Sequence, residues 1–207
     1  MKALSACLLI TLCCACVTPG QTGSAPDTNS IQALSEQFLQ ALCEQFLTLT
    51  HARNYQQAVP IGEQLLKAYE ESLGPEDTNT SKLLDILGRL YGDIGDYAKA
   101  EPLFQRALRI REKNLGPEHP NTAASLNGLG AFYVGMGDYA KAEPLLQRAL
   151  RIWEKVLGPE HPNTAISLNN LAELYRLTAD YAKAEPLYQR ALRTKEKVLG
   201  TDRKSVV

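Results

Sequence analysis

Apolar and polar residues follow helical spacing along this chain, and the pattern returns every 42 residues. In the middle of the chain, Leu126, Leu129, Gly130 and Tyr133 recur at the three-to-four spacing of one helix face. A second apolar face comes directly after it and consists of Ala142, Leu145, Leu146, Ala149, Trp153, Val156 and Leu157. Two amphipathic helices in each period predict stacked helical hairpins, since one hairpin alone cannot bury its apolar face.

The repeat stays in register without a gap. Residues 96–137 and 138–179 are identical at 30 of 42 positions, far too many for a chance match. Asp138 has a residue type that caps helices, and His161-Pro162 places proline in the first turn of the next helix. The positions that end each period carry the same residues: Gly74-Pro75, Gly116-Pro117, Gly158-Pro159 and then Gly200.

The N-terminus has the pattern of an export signal. Lys2 is followed by an uncharged run over residues 3–17, shorter than the about 20 apolar residues that a transmembrane helix needs. The junction Ala15-Cys16 fits a bacterial lipoprotein signal, in which the cysteine becomes lipidated. Ordinary signal-peptidase cleavage between Ala15 and Gly23 is the alternative, and the sequence leaves both open.

Composition narrows the class of function. The formal net charge is -1 and the sequence pI is about 6.3. The chain thus lacks the excess of basic residues that is typical of nucleic-acid-binding proteins. Four of the five cysteines lie in the first 16 residues, which excludes a disulfide framework in the folded part. The fifth, Cys43, falls on an apolar helix and is expected to pack as a small hydrophobic residue.

Candidate catalytic chemistry is scarce in this sequence. His119 and His161 recur at the repeat period, which spreads them along the array instead of gathering them at one metal. No Ser/His/Asp or Cys/His set and no glycine-rich phosphate loop after a strand is evident. The sequence therefore predicts no enzyme, no cofactor, no metal site and no small-molecule substrate. Trp153 stands where the sister units have Arg111 and Lys195 and is expected to pack partly on its neighbouring hairpin; an exposed interaction anchor is the alternative.

The repeated motif resembles the tetratricopeptide repeat. It reads Leu-x2-Leu-[Gly/Ala]-x2-Tyr-x3-[Gly/Ala]-Asp-Tyr-x2-Ala-x3-[Phe/Leu/Tyr]-x2-Ala, and the phrase ALRIREKNLGPEHPNTAASLN resembles the 42-residue form of kinesin light chains and bacterial relatives. The resemblance covers about residues 54–200 and implies an all-α, right-handed superhelical solenoid of antiparallel helix hairpins. No heptad region is present, so the motor role of kinesin light chains is not implied.

The resemblance and the composition together give a domain organisation. Residues 18–30 hold no large apolar side chain and predict a flexible tether. The predicted segments are a signal peptide or lipoprotein signal at 1–17, the tether at 18–30, a degenerate N-terminal hairpin that caps the array at 31–73, three repeats at 82–115, 124–157 and 166–199, and a tail at 200–207.

In this family the first helix of each hairpin lines a concave groove. The resemblance therefore implies three sets of groove residues, namely Lys82, Asp85, Ile86, Arg89, Gly92 and Asp93, then Ala124, Asn127, Gly128, Ala131, Val134 and Gly135, then Ile166, Asn169, Asn170, Glu173, Arg176 and Leu177. In kinesin light chains, groove asparagines hold the backbone of an extended peptide. Asn127, Asn169 and Asn170 match that role, because an amide both donates and accepts hydrogen bonds.

The groove residues vary more than the scaffold that carries them. Residues 138–162 differ from 96–120 at only 3 of 25 positions. The first helices, 121–137 and 163–179, differ at 9 of 17 positions, and 5 of these 9 are among the six groove positions. This distribution favours a surface that reads a partner, although drift on a solvent face predicts a weaker form of it.

The sequence predicts an exported, non-catalytic scaffold of the bacterial periplasm or outer membrane that binds a protein or peptide in its groove. Arg89 and Arg176 are candidates to pair with ligand carboxylates, and exposed helix arginines without a ligand are the alternative. Asp85 and Glu173 complete the set of charged groove candidates. The alternative function is a structural or self-associating spacer without a peptide ligand.

Overall fold

The computed structural model describes residues 28–204, with side chains over 37–197. Within this part, all regular structure is helical and consists of α1 (Thr28–His51), α2 (Tyr55–Ser72), α3 (Thr78–Asp93), α4 (Tyr97–Leu115), α5 (Pro120–Met136), α6 (Tyr139–Leu157), α7 (Pro162–Leu177) and α8 (Tyr181–Lys204). The predicted signal at 1–17 and its Cys16 lie outside the described residues. The chain divides into two compact units between Leu83 and Leu84.

The first unit contains the hairpin of α1 and α2. Phe46, Ala58 and Leu65 are buried in it, while Cys43 is a half-buried free thiol. The two helices pack against each other, and the capping role predicted for residues 31–73 stays a prediction. The tether predicted at 18–30 overlaps the start of α1, because that helix already begins at Thr28. Neither proline nor glycine interrupts the chain between Thr28 and the apolar part of the helix.

The second unit is a stack of hairpins, as expected for an all-α repeat solenoid. α5 pairs with α6 and α7 with α8, while α4 packs on α5 and α6 on α7. The helices α5 and α7 are also neighbours, so that the first helices of successive hairpins lie side by side. The first helix of each repeat begins four residues before the predicted boundary, at Thr78, Pro120 and Pro162.

Helix ends in this unit form as the sequence predicts. Asp138 caps α6 by accepting a hydrogen bond from the backbone N–H of Lys141 at 3.2 Å. His161 caps α7, with Pro162 as the first helical residue. Gly158 ends α6 with a φ of 93°, in the region that favours glycine.

The core of the second unit confirms most of the predicted apolar faces. Leu126, Leu129, Gly130 and Tyr133 of α5 are all buried. A cluster between α5 and α6 consists of Ala123, Leu126, Ala149, Ile152 and Trp153, with Leu108, Leu145 and Leu157 packed against it. The prediction for Val156 was wrong, because its side chain is 48% exposed. It occupies the position of polar Asn114, which turns away from the preceding core in the same way.

The last helix is longer than the repeat pattern indicates. α8 continues through Gly200 to Lys204, so the first part of the predicted tail at 200–207 is helical. Gly116 and Gly158 end their helices and are each followed by proline, whereas threonine follows Gly200. Without a proline after it, Gly200 is compatible with a continuing helix. No helix in the described part is both long and apolar enough to cross a membrane.

Candidate functional site: the groove face of α3, α5 and α7

The predicted groove residues of the second unit lie on α3, α5 and α7. Arg89 and Arg176 are exposed, and Asn169 and Asn170 are half-buried. The other three candidates are less accessible or already engaged. Asp85 and Glu173 are half-buried in ion pairs, and Asn127 is only 9% exposed.

Two of the predicted asparagines contact each other across neighbouring helices. The Asn170 amide nitrogen Nδ2 donates to Asn127 Oδ1 at 3.1 Å. This bond uses one donor and one acceptor, so Asn127 Nδ2 and Asn170 Oδ1 stay available to a ligand within the described part of the chain. Asn169 occupies the position that Asn127 occupies in the preceding repeat, and no partner of its amide is found among the described residues. The groove therefore offers both amide N–H donors and amide oxygen acceptors.

Asp85 belongs to a buried polar network. Arg111 Nη1 lies 2.6 Å from Asp85 Oδ2 and also donates to Ser125 Oγ at 2.7 Å and to the Asn121 carbonyl at 3.0 Å. The Ser125 hydroxyl in turn donates to Asp85 Oδ2 at 3.1 Å. Burial raises the pKa of Asp85, and the positive charge of Arg111 offsets part of that rise. Asp85 therefore joins α3, α4 and α5 and has little capacity left for a ligand.

Glu173 and Arg176 form a second closed group. Arg176 donates from Nε to Glu173 Oε2 at 2.8 Å and from Nη2 to Glu173 Oε1 at 2.6 Å. The Tyr188 hydroxyl of α8 also donates to Glu173 Oε2, at 2.7 Å. The hydrogen bonds from Arg176 and Tyr188 lower the pKa of Glu173 to about 2, so this carboxylate is ionised at neutral pH.

A cavity of about 590 Å³ opens between α5 and α7. Its lining consists of Ala131, Val134, Gly135, Met136, Gly137, Tyr139, Asn170, Glu173 and Leu177. Six of these nine are groove positions predicted from the sequence. The cavity lies where α5 carries small uncharged residues, since Ala131 and Gly135 stand where α7 has Glu173 and Leu177.

Two residues of these networks were not predicted from the sequence. Arg111 was noted only as the counterpart of Trp153, and Tyr188 only as one of three residue types allowed at its position. The signal for Tyr188 was its polar hydroxyl at a position where Phe104 and Leu146 are fully apolar. In the sequence, Arg111 could have been noticed as a positively charged residue on the apolar face of a helix, because a buried charge needs a partner of opposite charge.

Trp153 and the repeated histidines have structural roles. The Trp153 side chain is 3% exposed and its indole N–H donates to the Pro120 carbonyl at 3.1 Å. It is therefore a core residue, packed more completely than the sequence indicated. His119 Nδ1 accepts from the backbone N–H of Asn121, and His161 Nδ1 from that of Asn163, both at 3.1 Å. Each imidazole thus caps the helix that follows it.

Comparison with known proteins establishes the class that these hairpins and their groove define. The tetratricopeptide repeat profile matches residues 47–113, 90–142 and 121–197. These matches extend over more than half of the chain, and the chain belongs to the tetratricopeptide repeat family. Proteins of this family are generally scaffolds for protein interactions. No curated protein sequence matches this chain.

Solved structures share the fold at low sequence identity. BtubC (BKLC) from P. vanneervenii is 20% identical with a TM-score of 0.68, covering 87% of this chain and 69% of its own. A candidate kinesin light chain from Podosopora anserina with nearly identical TPR-like repeats is 22% identical with a TM-score of 0.66, covering 94% of this chain and 85% of its own. A MamA RS-1 double mutant is 16% identical with a TM-score of 0.54, covering 93% of this chain and 96% of its own. At these identities the similarity defines the fold alone.

Proposed function

We propose that this protein is a non-catalytic scaffold that holds an extended segment of a partner protein against α5 and α7. The observation that carries the proposal is the amide pair of Asn127 and Asn170 beside an open cavity on the face that varies most between repeats. A peptide backbone needs paired donors and acceptors, and asparagine amides supply both. Asn169, on the same helix, adds a further amide without a partner in the described chain.

The variation between repeats supports a role in recognition. The second helices of the hairpins keep their sequence where they are buried in the core, as the fully buried pair Ala107 and Ala149 shows. Groove residues contact less protein and are free to differ. At the positions of Ala131 and Val134, α7 carries the linked pair Glu173 and Arg176. Such a replacement of small residues by an oriented ion pair changes what the surface can bind.

The amides are tested by their removal. Peptides selected from a random library on the immobilised chain are synthesised, and their Kd is measured by calorimetry with the wild type and with the double variant Asn169→Ala, Asn170→Ala. Loss of two or three backbone hydrogen bonds is expected to weaken binding about tenfold to 100-fold. The matched control is Asn121→Ala, which removes an exposed amide outside the groove face. Unchanged affinity in the double variant, with unchanged helical circular dichroism, contradicts the proposal.

We also propose that the protein is exported, with Cys16 as a lipid anchor that places the scaffold in the bacterial periplasm or at the outer membrane. The support comes from the short apolar segment after Lys2 and from the junction Ala15-Cys16. Radiolabelled palmitate is expected to enter the wild type and to be absent from Cys16→Ser. Label that persists in Cys16→Ser shows that the anchor lies elsewhere. A protein that is exported without label supports ordinary signal-peptidase cleavage.

Self-association is the second candidate, favoured by apolar side chains on α8. Tyr181 is 65% and Leu192 57% exposed. Tyr139, the counterpart of Tyr181, is half-buried, and Leu150, the counterpart of Leu192, is buried. Association through this face predicts that the sedimentation coefficient rises with concentration and that Leu192→Glu abolishes the rise. A coefficient that does not change with concentration excludes this candidate.

A further inference from the structure

The outward face of α8 continues an interface that is closed in the preceding repeats. α4 packs on α5 and α6 on α7, the first helix of the next hairpin in each case, and Leu150 of α6 is only 9% exposed. Leu192 has the same repeat position in α8 and is 57% exposed. Within the described residues, no hairpin follows α8. This face of α8 therefore carries the residues of a helix-packing surface without a helix on it.

The residues on this face have the spacing of a seam between two helices. Tyr181, Glu185, Tyr188, Leu192 and Lys195 follow one another at intervals of four, three, four and three residues on one continuous helix. That spacing is typical of the positions that face a partner helix in a coiled coil. Tyr188 is half-buried and the other four are exposed. These five residues are called the α8 seam below.

Glu185 of the seam has an acceptor that earlier repeats use to hold the next hairpin. The carboxylate of Glu101 accepts a hydrogen bond from the hydroxyl of Tyr133 at 2.6 Å, and the equivalent bond recurs one repeat later at 2.7 Å. Glu185 has the same repeat position and is exposed. In the described part of the chain it accepts only from Gln189 of its own helix, at 3.0 Å. Its carboxylate is therefore open to a donor from a partner.

Lys195 supplies such a donor if two α8 helices pack antiparallel. It is exposed, and no ion pair of its ammonium group is found among the described residues. In the antiparallel register that sets Tyr188 opposite Leu192 of a second copy, Glu185 lies opposite Lys195 of that copy, because Arg190 is the midpoint of both pairs. A parallel register sets equal charges opposite each other, which is unfavourable. The charges of the seam therefore favour an antiparallel second copy.

A head-to-tail arrangement with α1 of a second copy fits this face poorly. On α5, a Cβ atom at Gly128 would lie 3.6 Å from the ring of Phe104, and the ring centroids of Phe132 and Phe104 are 5.3 Å apart. α1 has Glu44 at the repeat position of Gly128 and Thr48 at that of Phe132, and both are exposed. α1 thus presents polar side chains where a helix that follows α8 needs small or apolar ones.

We infer that two copies of this chain associate through the α8 seam as a two-fold symmetric, antiparallel helix pair. The inference goes beyond peptide binding and deepens the self-association candidate, on which it rests, by defining its surface, symmetry and register. Each half of the interface contains one contact of Tyr188 with Leu192 and one ion pair of Glu185 with Lys195. None of the seam residues is a predicted groove residue.

The register is tested by charge reversal in the whole chain. Glu185→Lys and Lys195→Glu each set like charges opposite each other in both halves, so each is expected to weaken dimerisation in sedimentation equilibrium about tenfold or more. An equimolar mixture of the two variants is expected to restore the wild-type affinity, because each supplies the charge that the other lacks. The matched control Arg193→Glu makes the same change of charge at an exposed position of α8 off the seam and is expected to dimerise like the wild type.

Two results overturn the antiparallel seam while leaving self-association in place. One is wild-type affinity in both single variants together with loss of association in Leu192→Glu. The other is a mixture that associates no better than the single variants, although circular dichroism shows all of them folded. A wild type that stays monomeric at every concentration overturns the seam and the self-association candidate together. The proposed peptide binding is measured separately by calorimetry and does not depend on any of these results.

Discussion

Two successive repeats of the second unit place different residues at the same buried positions, and each such set of positions is called a layer below. In one layer Arg111 is buried and bonded to Asp85 and Ser125. One repeat later, Trp153 takes the position of Arg111 and Asn127 that of Asp85, so no buried ion pair forms there. The helices that carry these residues begin and end at equivalent positions in both repeats, within a residue or two. We therefore expect the residues at these two positions to be exchangeable only as a pair.

The largest expected effect comes from breaking the ion-paired layer on one side. Arg111→Ala leaves the Asp85 carboxylate buried without its partner and is expected to lower the free energy of unfolding by about 3–5 kcal/mol. The double variant Asp85→Asn, Arg111→Trp copies the second layer and is expected to recover most of that loss. Urea unfolding of both variants measures the difference. A double variant as unstable as Arg111→Ala would show that the layers are not exchangeable.

Glycines on α5 provide a smaller contrast on a single helix. A Cβ atom at Gly130 would lie 2.7 Å from Leu146 Cγ, while one at Gly135 would meet nothing within 4 Å. Gly130→Ala is expected to destabilise by about 1–2 kcal/mol, because overpacking exceeds the gain in helix propensity. Gly135→Ala is expected to stabilise by up to about 1 kcal/mol. Thermal unfolding of the two variants should move Tm in opposite directions, and a shift of the same sign in both contradicts this packing.

The hairpin turns differ in strain at one equivalent position. Gly137 has a φ of 79° and Ala179 a φ of 60°, so both lie in the left-handed region although only one is glycine. Gly137→Ala is expected to cost about 1 kcal/mol, and Ala179→Gly to gain up to about 1 kcal/mol. Unfolding midpoints in urea check both changes. A loss of stability in Ala179→Gly would contradict the strain at this turn.

Acid sensitivity is the smallest expected difference and separates α7 from α5. Glu173 has a pKa lowered to about 2 from the ordinary value of 4.5, so its contribution to stability is complete above pH 4.5 and is lost as the pH falls towards 2. α5 has Ala131 at this position and therefore no carboxylate that titrates there. Glu173→Gln is expected to remove this part of the pH dependence, as followed by urea unfolding at several pH values. A wild-type profile unchanged by Glu173→Gln contradicts the assignment.

The fold could be predicted from the sequence because its signals are local and repeated. Asp138, Gly158 and His161-Pro162 act within one turn of the residues they cap, so spacing alone defines the helix ends. The site was predictable only as a face. Two side-chain contacts depend on how far side chains extend between helices. Asn170 bonds Asn127 of the preceding repeat, and Tyr188 bonds Glu173 of the other helix in its hairpin. Periodicity does not carry that information.

The same limit explains the individual errors. Val156 lies at the edge of an apolar helix face, where a rotation of one residue decides between core and solvent. Gly200 was expected to end a helix as Gly158 does, but no proline follows it and the helix continues to Lys204. The groove assignment of Asp85 stays a prediction, and its repeat position gives no indication of the ion pair with Arg111.

We propose that the variable face of α5 and α7 binds the partner while the repeated helices α4, α6 and α8 carry the scaffold. Amide shift mapping of the ¹⁵N-labelled chain with a selected peptide tests this proposal. The largest shifts are expected at residues 124–137 and 166–177, around Asn127, Asn169 and Asn170. Shifts that concentrate on the outward face of α6, around Arg148 and Arg151, would contradict it.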